Sequence, residues 1–472
     1  MTWTARLAPA CSLLALALAP ACADDSVGGT RDDEIGAEAP TEEESAGEDG
    51  ESGSESGDND GSTGSSEGEE RGSETGTPCD PSDPNALPWQ AREFLAKGES
   101  RADVQLGACD YHVWWVSAAT GVETTITVSG VDEGAGVDLA VAYPDAPNYV
   151  EALATASVLD TGELAFEAPR SGEFAVLVRA QNPGADPQLS LSYDIEVACT
   201  NQCQFVTTRF PMVFVHGWTG FENIGPLTYF YNVREDLEAL GYPVAIAVLD
   251  PYNSVDVRGE QLVEFVTATL GAARARKVNL IGHSQGGIDS RYVAADAGGG
   301  MGAQVSSVIT IGTPHYGTPV PDIALGLLPG ASEVVLAWLF NFLGATMDQQ
   351  SDVLASLDTL SEAHMIDEFN PTYLDHPEVQ YWSWAGETCV AGIGCQDTLD
   401  PLLLIPYELI LPLAGDNDGL VPTESAKWGE YLGLMPADHI DQIGQIAGVT
   451  GLNYDHIQFF RDNAEMLVDG AH

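Results

Sequence analysis

Four short, nearly continuous apolar runs recur after Cys203: Pro211-Met-Val-Phe-Val, Pro243-Val-Ala-Ile-Ala-Val-Leu, Lys277-Val-Asn-Leu-Ile and Val305-Ser-Ser-Val-Ile-Thr-Ile. Runs of this length without polar alternation suit strands buried on both faces, as in a parallel sheet covered by helices. Helical patterns separate them. Arg258 to Leu270 carries apolar residues at Leu262, Val263, Phe265, Val266 and Leu270, and Asn232 to Leu240 stops at Gly241, a residue that readily takes the left-handed backbone beyond a helix end. The expected fold over residues 205–472 is α/β, with a mostly parallel sheet and right-handed crossovers.

Upstream the rhythm differs. Tyr111-His-Val-Trp-Trp-Val, Glu123-Thr-Thr-Ile-Thr-Val, Val137-Asp-Leu-Ala-Val-Ala-Tyr, Leu164-Ala-Phe-Glu-Ala, Glu173-Phe-Ala-Val-Leu-Val and Ser190-Leu-Ser-Tyr-Asp-Ile-Glu-Val have period two and are broken by Gly, Pro and Asp clusters. That pattern predicts a small all-β sandwich over residues 79–204. With Asp138-Leu139 before Tyr143-Pro144 and a late Ser171-Gly172 turn, it resembles sandwich domains appended to secreted bacterial peptidases. Before it, residues 23–78 hold no aromatic residue up to Thr77 and only Val27 and Ile35 as larger aliphatics. Such a segment cannot bury a core and reads as a disordered acidic tether.

The 472 residues carry 72 Asp+Glu against 17 Lys+Arg, a formal net charge of -55. Binding to nucleic acid runs on Lys/Arg neutralisation of phosphate, so no nucleic-acid partner is expected. Residues 1–22 combine Arg6 with an apolar run from Leu13 to Ala19, which reads as an export signal. Ala19-Pro20-Ala21-Cys22 resembles a bacterial lipobox, with Ala19 where Leu is usual, so the exported protein is expected either secreted or anchored as a lipoprotein through Cys22. Setting aside Cys11 and Cys22 leaves Cys79, Cys109, Cys199, Cys203, Cys389 and Cys395, an even set that suits disulfides outside the cytoplasm. Cys389–Cys395 is the expected pair; the connectivity of the other four stays open.

The chemistry concentrates at Gly282-His283-Ser284-Gln285-Gly286-Gly287, between the Lys277–Ile281 strand and a helical segment through Tyr292 to Ala295. This is G-x-S-x-G in a strand–turn–helix context, where glycines flank the serine because a Cβ would strike the neighbouring elements. A serine hydroxyl needs a histidine base oriented by a carboxylate. Asp418, in a loop after the apolar Leu402–Leu413 stretch where a strand end would project it over the sheet edge, is the candidate acid, with Asp416 its competitor. His439 and His456 both follow it and spacing leaves them tied; His472, the last residue, is expected to fray. The Gln285 amide and the Trp218 amide, in Val215-His-Gly-Trp, are the candidate oxyanion donors. His216 is read as shaping that loop.

Val215-His-Gly-Trp-Thr-Gly, Arg258-Gly-Glu-Gln-Leu, Lys277-Val-Asn-Leu-Ile-Gly-His-Ser-Gln-Gly-Gly, Ser290-Arg-Tyr-Val-Ala-Ala, Ile311-Gly-Thr-Pro-His-Tyr-Gly, Asn417-Asp-Gly-Leu-Val and Asp438-His-Ile-Asp-Gln-Ile-Gly-Gln together resemble the bacterial true lipases of the Pseudomonas and Burkholderia type, from about residue 205 to 472. The resemblance implies an α/β-hydrolase fold with Ser284 as nucleophile, Asp418 as acid and His439, not His456, as base. It also implies a structural Ca2+ that clamps the loop carrying the base, held by Asp441, the carbonyls of Gln445 and Val449, and a second carboxylate. Asp400 is preferred to Asp397 for that place. Oxygen-only ligands suit such a hard cation.

Two features depart from the family. Pro422-Thr-Glu-Ser lacks the family's cysteine after the acid, so Cys389–Cys395 is a different staple. Trp218 replaces a smaller apolar residue beside the oxyanion hole, which bears on acyl-chain preference. Where the family carries a mobile lid, this chain has an insertion between Thr318 and Met347 with Val334-Val-Leu-Ala-Trp-Leu-Phe-Asn-Phe-Leu, too short to span a bilayer. The implied activity is hydrolysis of lipid esters at a lipid–water interface, most simply of triacylglycerol. Short-chain carboxylesterase or phospholipase activity is the enzymatic alternative, and a surface binding protein with an inactive hydrolase domain is the non-enzymatic one. A lipase-specific foldase is left open as a partner.

Overall fold

The structure, a computed structural model, describes residues 89–181, 190–198, 206–218, 223–224, 227–324 and 352–472. The expected signal, the acidic tether, Cys79, Cys199, Cys203 and the apolar insertion from residue 325 onward lie outside these residues.

Nine strands come first: β1 (Trp89–Leu95), β2 (Ser100–Gly107), β3 (Tyr111–Ala118), β4 (Glu123–Ser129), β5 (Val137–Ala142), β6 (Ala154–Val158), β7 (Gly162–Glu167), β8 (Gly172–Ala180) and β9 (Ser190–Ala198). They form two sheets, ordered β1-β3-β8-β5-β6 and β2-β9-β4-β7. The β1–β3 pairing is parallel and the rest are antiparallel. One core joins both sheets, with Trp114, Val116, Ile126, Leu139, Phe174, Val176 and Ile195 among its members. Strands β1, β2 and β6 escape the period-two reading because few of their side chains are buried.

Strands β3 and β8 depart from half-burial: nearly every residue of both is buried. Their second face carries Tyr111, Val113, Trp115, Ala175 and Leu177, and the α/β region supplies arginines to it. The Arg276 guanidinium lies 3.7 Å from the Trp115 ring centroid, and Glu173, 1% exposed, pairs with Arg209 and, at 2.9 Å, with Arg276. A sheet covered on both sides loses its polar alternation. Both regions accordingly fall in one compact unit.

The α/β region holds a six-stranded sheet of β10 (Met212–Val215), β11 (Val244–Ala247), β12 (Val278–His283), β13 (Val305–Ile311), β14 (Gln380–Gly386) and β15 (Glu430–Met435), in the order β11-β10-β12-β13-β14-β15. Every pairing is parallel. The helices that position the site are α1 (Val233–Ala239), α2 (Val255–Ala273), α3 (Gln285–Ala294), α4 (Pro319–Ala324), α5 (Val353–Thr359), α6 (Leu404–Ala414) and α7 (His456–Asp469). Successive β10 side chains serve opposite cores. Met212 and Phe214 pack with Val233, Leu237 and Phe460 of α1 and α7, whereas Val213 and Val215 pack with Leu262, Val266 and Val293 of α2 and α3. This double burial is the physical origin of the uninterrupted apolar runs.

Two local expectations are corrected. The Leu402–Leu413 stretch is helical, most of it in α6, and not a strand, so Asp418 follows a helix. His472 is not frayed: its carbonyl accepts the Arg209 N–H at 2.8 Å and its Nδ1 lies 2.9 Å from Ser306 Oγ. Cys389 and Cys395 form a disulfide, and Cys109 is also disulfide-bonded. Among the described residues no helix is long and apolar enough to cross a membrane.

Candidate active site

Ser284 sits between β12 and α3 with φ 57° and ψ −131°, a backbone conformation that is strained for a residue with a side chain. Its N–H is held by the Ile311 carbonyl at 2.9 Å. The turn can be this tight only because its neighbours lack side chains. A Cβ at Gly282 would come within 2.5 Å of Gly286 O and Gly287 N, and one at Gly286 would collide with the Val215 carbonyl oxygen and approach His216 O at 2.7 Å.

Beyond β10, the 216–218 loop is braced from several sides. His216 donates from Nδ1 to Gly217 O at 2.9 Å and accepts the Leu249 N–H at Nε2, also at 2.9 Å. Burial, reinforced by the adjacent Arg258, pushes its pKa down to about 3, so the ring is neutral. Arg258 and Asp289 form a fully buried ion pair at 2.7 Å, and Arg258 Nη2 donates to His216 O at 2.7 Å. This pair ties α3, which opens at Gln285, to the loop carrying Trp218. Burial raises the Asp289 pKa to about 6 against the pull of Arg258. The structural role of Arg258 and Asp289 was not evident from spacing, since the partners are 31 residues apart.

Asp418 and His439 meet over this turn. His439 Nδ1 lies 2.7 Å from Asp418 Oδ2, and both residues are buried. Asp418 Oδ1 accepts the N–H groups of Leu420 and Val421 at 3.0 and 2.8 Å, while Gln442 Nε2 donates to Oδ2 at 2.8 Å. The carboxylate is thus fully engaged and its rotation fixed. Its competitors fall elsewhere: Asp416 is exposed, and His456 Nε2 is 3.0 Å from the Tyr231 carbonyl. Ser284, His439 and Trp218 line one pocket with Pro314, Val320, Leu357, Leu420 and Ile440, so the opening at the serine is apolar.

Of the residues expected around a cation, Asp441 lies in a cluster of acids. Among the described residues, Asp397, Asp438 and Asp441 can place ligand atoms within 4.8 Å of one another. Asp400, the preferred second carboxylate, does not join them. Its Oδ1 accepts the Leu402 N–H at 2.8 Å, capping a short helical turn, and its N–H donates to Asp438 Oδ2 at 2.8 Å. Asp397, the alternative to it, does join them: it is 3% exposed, and neither of its carboxylate oxygens has a hydrogen-bond partner among the described residues. Val449 borders the same cavity as Asp397 and Asp441, whereas Gln445 lines the pocket at Ser284.

Burial, opposed by backbone N–H groups and reinforced by neighbouring carboxylates, raises the Asp438 pKa. Burial and the Asp438 and Asp397 charges raise the Asp441 pKa as well. Asp438 is a residue the sequence reading passed over. Its Oδ1 accepts the Ile440 and Asp441 N–H groups at 3.0 and 2.9 Å, which fixes the turn immediately around His439.

The chain is similar to the triacylglycerol lipases of Pseudarthrobacter phenanthrenivorans, 33% identical over 300 residues that cover 53% of this chain and 93% of that protein, and of Vibrio cholerae, 33% identical over 294 residues that cover 57% and 90%. Among solved structures, a Bacillus licheniformis lipase in its mature form aligns with 25% identity and a TM-score of 0.40, covering 55% of this chain and 91% of that one. No family model matches the chain.

Proposed function

The chain belongs to the bacterial triacylglycerol lipase family, and we propose that it hydrolyses lipid esters, triacylglycerol first among them, through an acyl-enzyme on Ser284. The observation that carries the reading is the buried Asp418–His439 pair, whose histidine shares an apolar-walled pocket with a serine on a strained strand-to-helix turn.

In this mechanism His439 Nε2 takes the Ser284 hydroxyl proton as Oγ adds to the ester carbonyl carbon. Asp418 holds Nδ1–H, keeping the ring in the tautomer that leaves Nε2 free to accept. Negative charge gathers on the former carbonyl oxygen, which the Trp218 and Gln285 amides stabilise. Collapse breaks the ester C–O bond, and the departing alcohol takes the proton from His439. Water then gives a proton to His439 and adds to the acyl carbon. The second collapse releases the fatty acid and returns the proton to Ser284.

A structural calcium ion accompanies this proposal. Asp397 and Asp441 would hold it with the carbonyls of Gln445 and Val449, and the two unpartnered oxygens of buried Asp397 support the fit, because buried carboxylate charge needs a compensating cation or proton. When bound, the ion supplies charge balance and a clamp on the 438–451 segment rather than a reaction step. Export rests on residues 1–22, and the intact mass of the mature chain would show whether Cys22 carries lipid.

A fluorophosphonate probe should label Ser284 stoichiometrically, and Ser284→Ala should lose both labelling and ester hydrolysis. Turnover of dispersed short esters with no preference for emulsified long-chain triacylglycerol would assign the chain to the carboxylesterase alternative. Unlabelled, inactive but folded protein would return the reading to a binding role.

A further inference from the structure

Gln442 joins the Asp418 carboxylate to a buried histidine that the catalytic sequence above does not use. Besides the 2.8 Å bond from its Nε2 to Asp418 Oδ2, its Oε1 lies 3.2 Å from His283 Nε2. His283 Nδ1 is 2.7 Å from Tyr229 Oη, and Tyr229 Oη accepts the Gly217 N–H at 2.9 Å. Gln442, His283 and Tyr229 are all buried.

The direction of every bond follows from the carboxylate. Ionised Asp418 only accepts, so Gln442 must turn its NH2 group toward it and its carbonyl toward His283. His283 Nε2 must therefore carry a proton. Burial, with the neighbouring His439, holds the His283 pKa well below the usual histidine value, which leaves the ring neutral and Nδ1 bare. Tyr229 donates its O–H to that nitrogen and offers its oxygen to Gly217. The Gln442 amide is also wedged: a Cβ at Gly312 would collide with its Oε1, and one at Gly386 with its Nε2.

We propose that Tyr229, His283 and Gln442 are positioning residues forming one oriented hydrogen-bond chain between the triad acid and the oxyanion loop, which holds Asp418 against His439 and the Gly217–Trp218 backbone against Ser284. A Cβ at Gly217 would collide with Ser284 Cβ, so a small shift of that loop is felt at the nucleophile. The chain rests on the hydrolase reading of Ser284. Its own content is that a break at either end disturbs a single device.

The test is a kinetic double-mutant cycle on the full chain with a soluble short ester, comparing Gln442→Met, Tyr229→Phe and the pair. Gln442 and Tyr229 are connected through His283, so coupling between them reports the chain. Each single variant should lower kcat about tenfold, the loss expected when a hydrogen bond in a charged network is removed, with KM within about twofold. The pair should be little worse than the more impaired single variant. Losses in kcat that multiply, or an unchanged kcat in Tyr229→Phe, would overturn the chain, and the Tyr229→Phe arm stands even where Gln442→Met fails to fold. Ser284→Ala in the same assay separates the two ideas: residual activity there sinks the hydrolase reading, whereas an inactive Ser284→Ala beside multiplicative losses sinks only the chain.

Discussion

Asp418 and His439 are joined twice: the Asp418 carbonyl accepts the His439 backbone N–H at 2.8 Å, and Asp418 Oδ2 meets His439 Nδ1 at 2.7 Å. The backbone contact sets where the base stands and the side-chain contact sets which nitrogen faces the serine. Asp418→Asn keeps the first and disturbs the second, because an amide can present an N–H to the ring and favour the wrong tautomer. Steady-state kinetics should show kcat reduced by about 10^3- to 10^4-fold with little change in KM. A loss under tenfold would mean that another carboxylate orients the base.

Calcium removal separates Asp397 from Asp400. Chelation should lower the melting temperature of the wild type, since a ligand bound only by the folded chain stabilises it. Asp397→Ala should be insensitive to both calcium and chelator. Asp400→Ala should lose only its cap on Leu402, about 1 kcal/mol, and keep the full calcium response. The opposite pattern in a thermal melt would restore Asp400 to the site.

Acid should destabilise the fold through buried neutral histidines. Burial lowers His112 to about 4 and His216 to about 3, and holds His283 and His315 well below the ordinary value of 6.5. Below pH 6.5 the unfolded chain therefore binds protons that the folded chain refuses. Stability is complete above that pH and is lost as pH falls toward the folded values, at about 1.4 kcal/mol per pH unit for each such group. The raised Asp289, and Asp438 and Asp441 when no cation is bound, oppose this trend but are outnumbered by the four rings. Melting temperatures are therefore compared between pH 7.5 and 5 in saturating calcium; a flat profile would contradict the assignment of neutral rings.

Glu173 tests the junction between sandwich and α/β region. It is 1% exposed and shared by Arg209 and Arg276, which retain 18% and 33% exposure. Removing one member of a buried pair strands the other charges, so Glu173→Ala should cost about 3 kcal/mol of stability, the low end for a buried pair because both arginines reach water. Its kcat on a soluble ester should match the wild type below the melting transition. A normal melting temperature would show that the junction does not depend on this carboxylate.

Periodicity alone carried the architecture. Runs such as Met212–Val215 are apolar because both faces of their sheet are covered, and Gly282 and Gly286 mark a turn that admits no Cβ, so the strand–turn–helix around Ser284 could be read locally. The order of serine, acid and histidine could also be read, but spacing could not separate His439 from His456, because both follow the acid at compatible distances along the chain. Only the tertiary structure turns one toward Asp418 and the other toward the Tyr231 carbonyl. Asp397 and Asp400 are indistinguishable by composition and three residues apart; a short helical turn consumes the second as a cap and leaves the first without a partner. Gln442 was visible within a motif, yet its bond to His283 spans 159 residues. Local sequence determines which backbone shapes are affordable at each turn. Which side chains converge depends on how distant turns stack on the sheet, and that is settled only when the whole chain has packed.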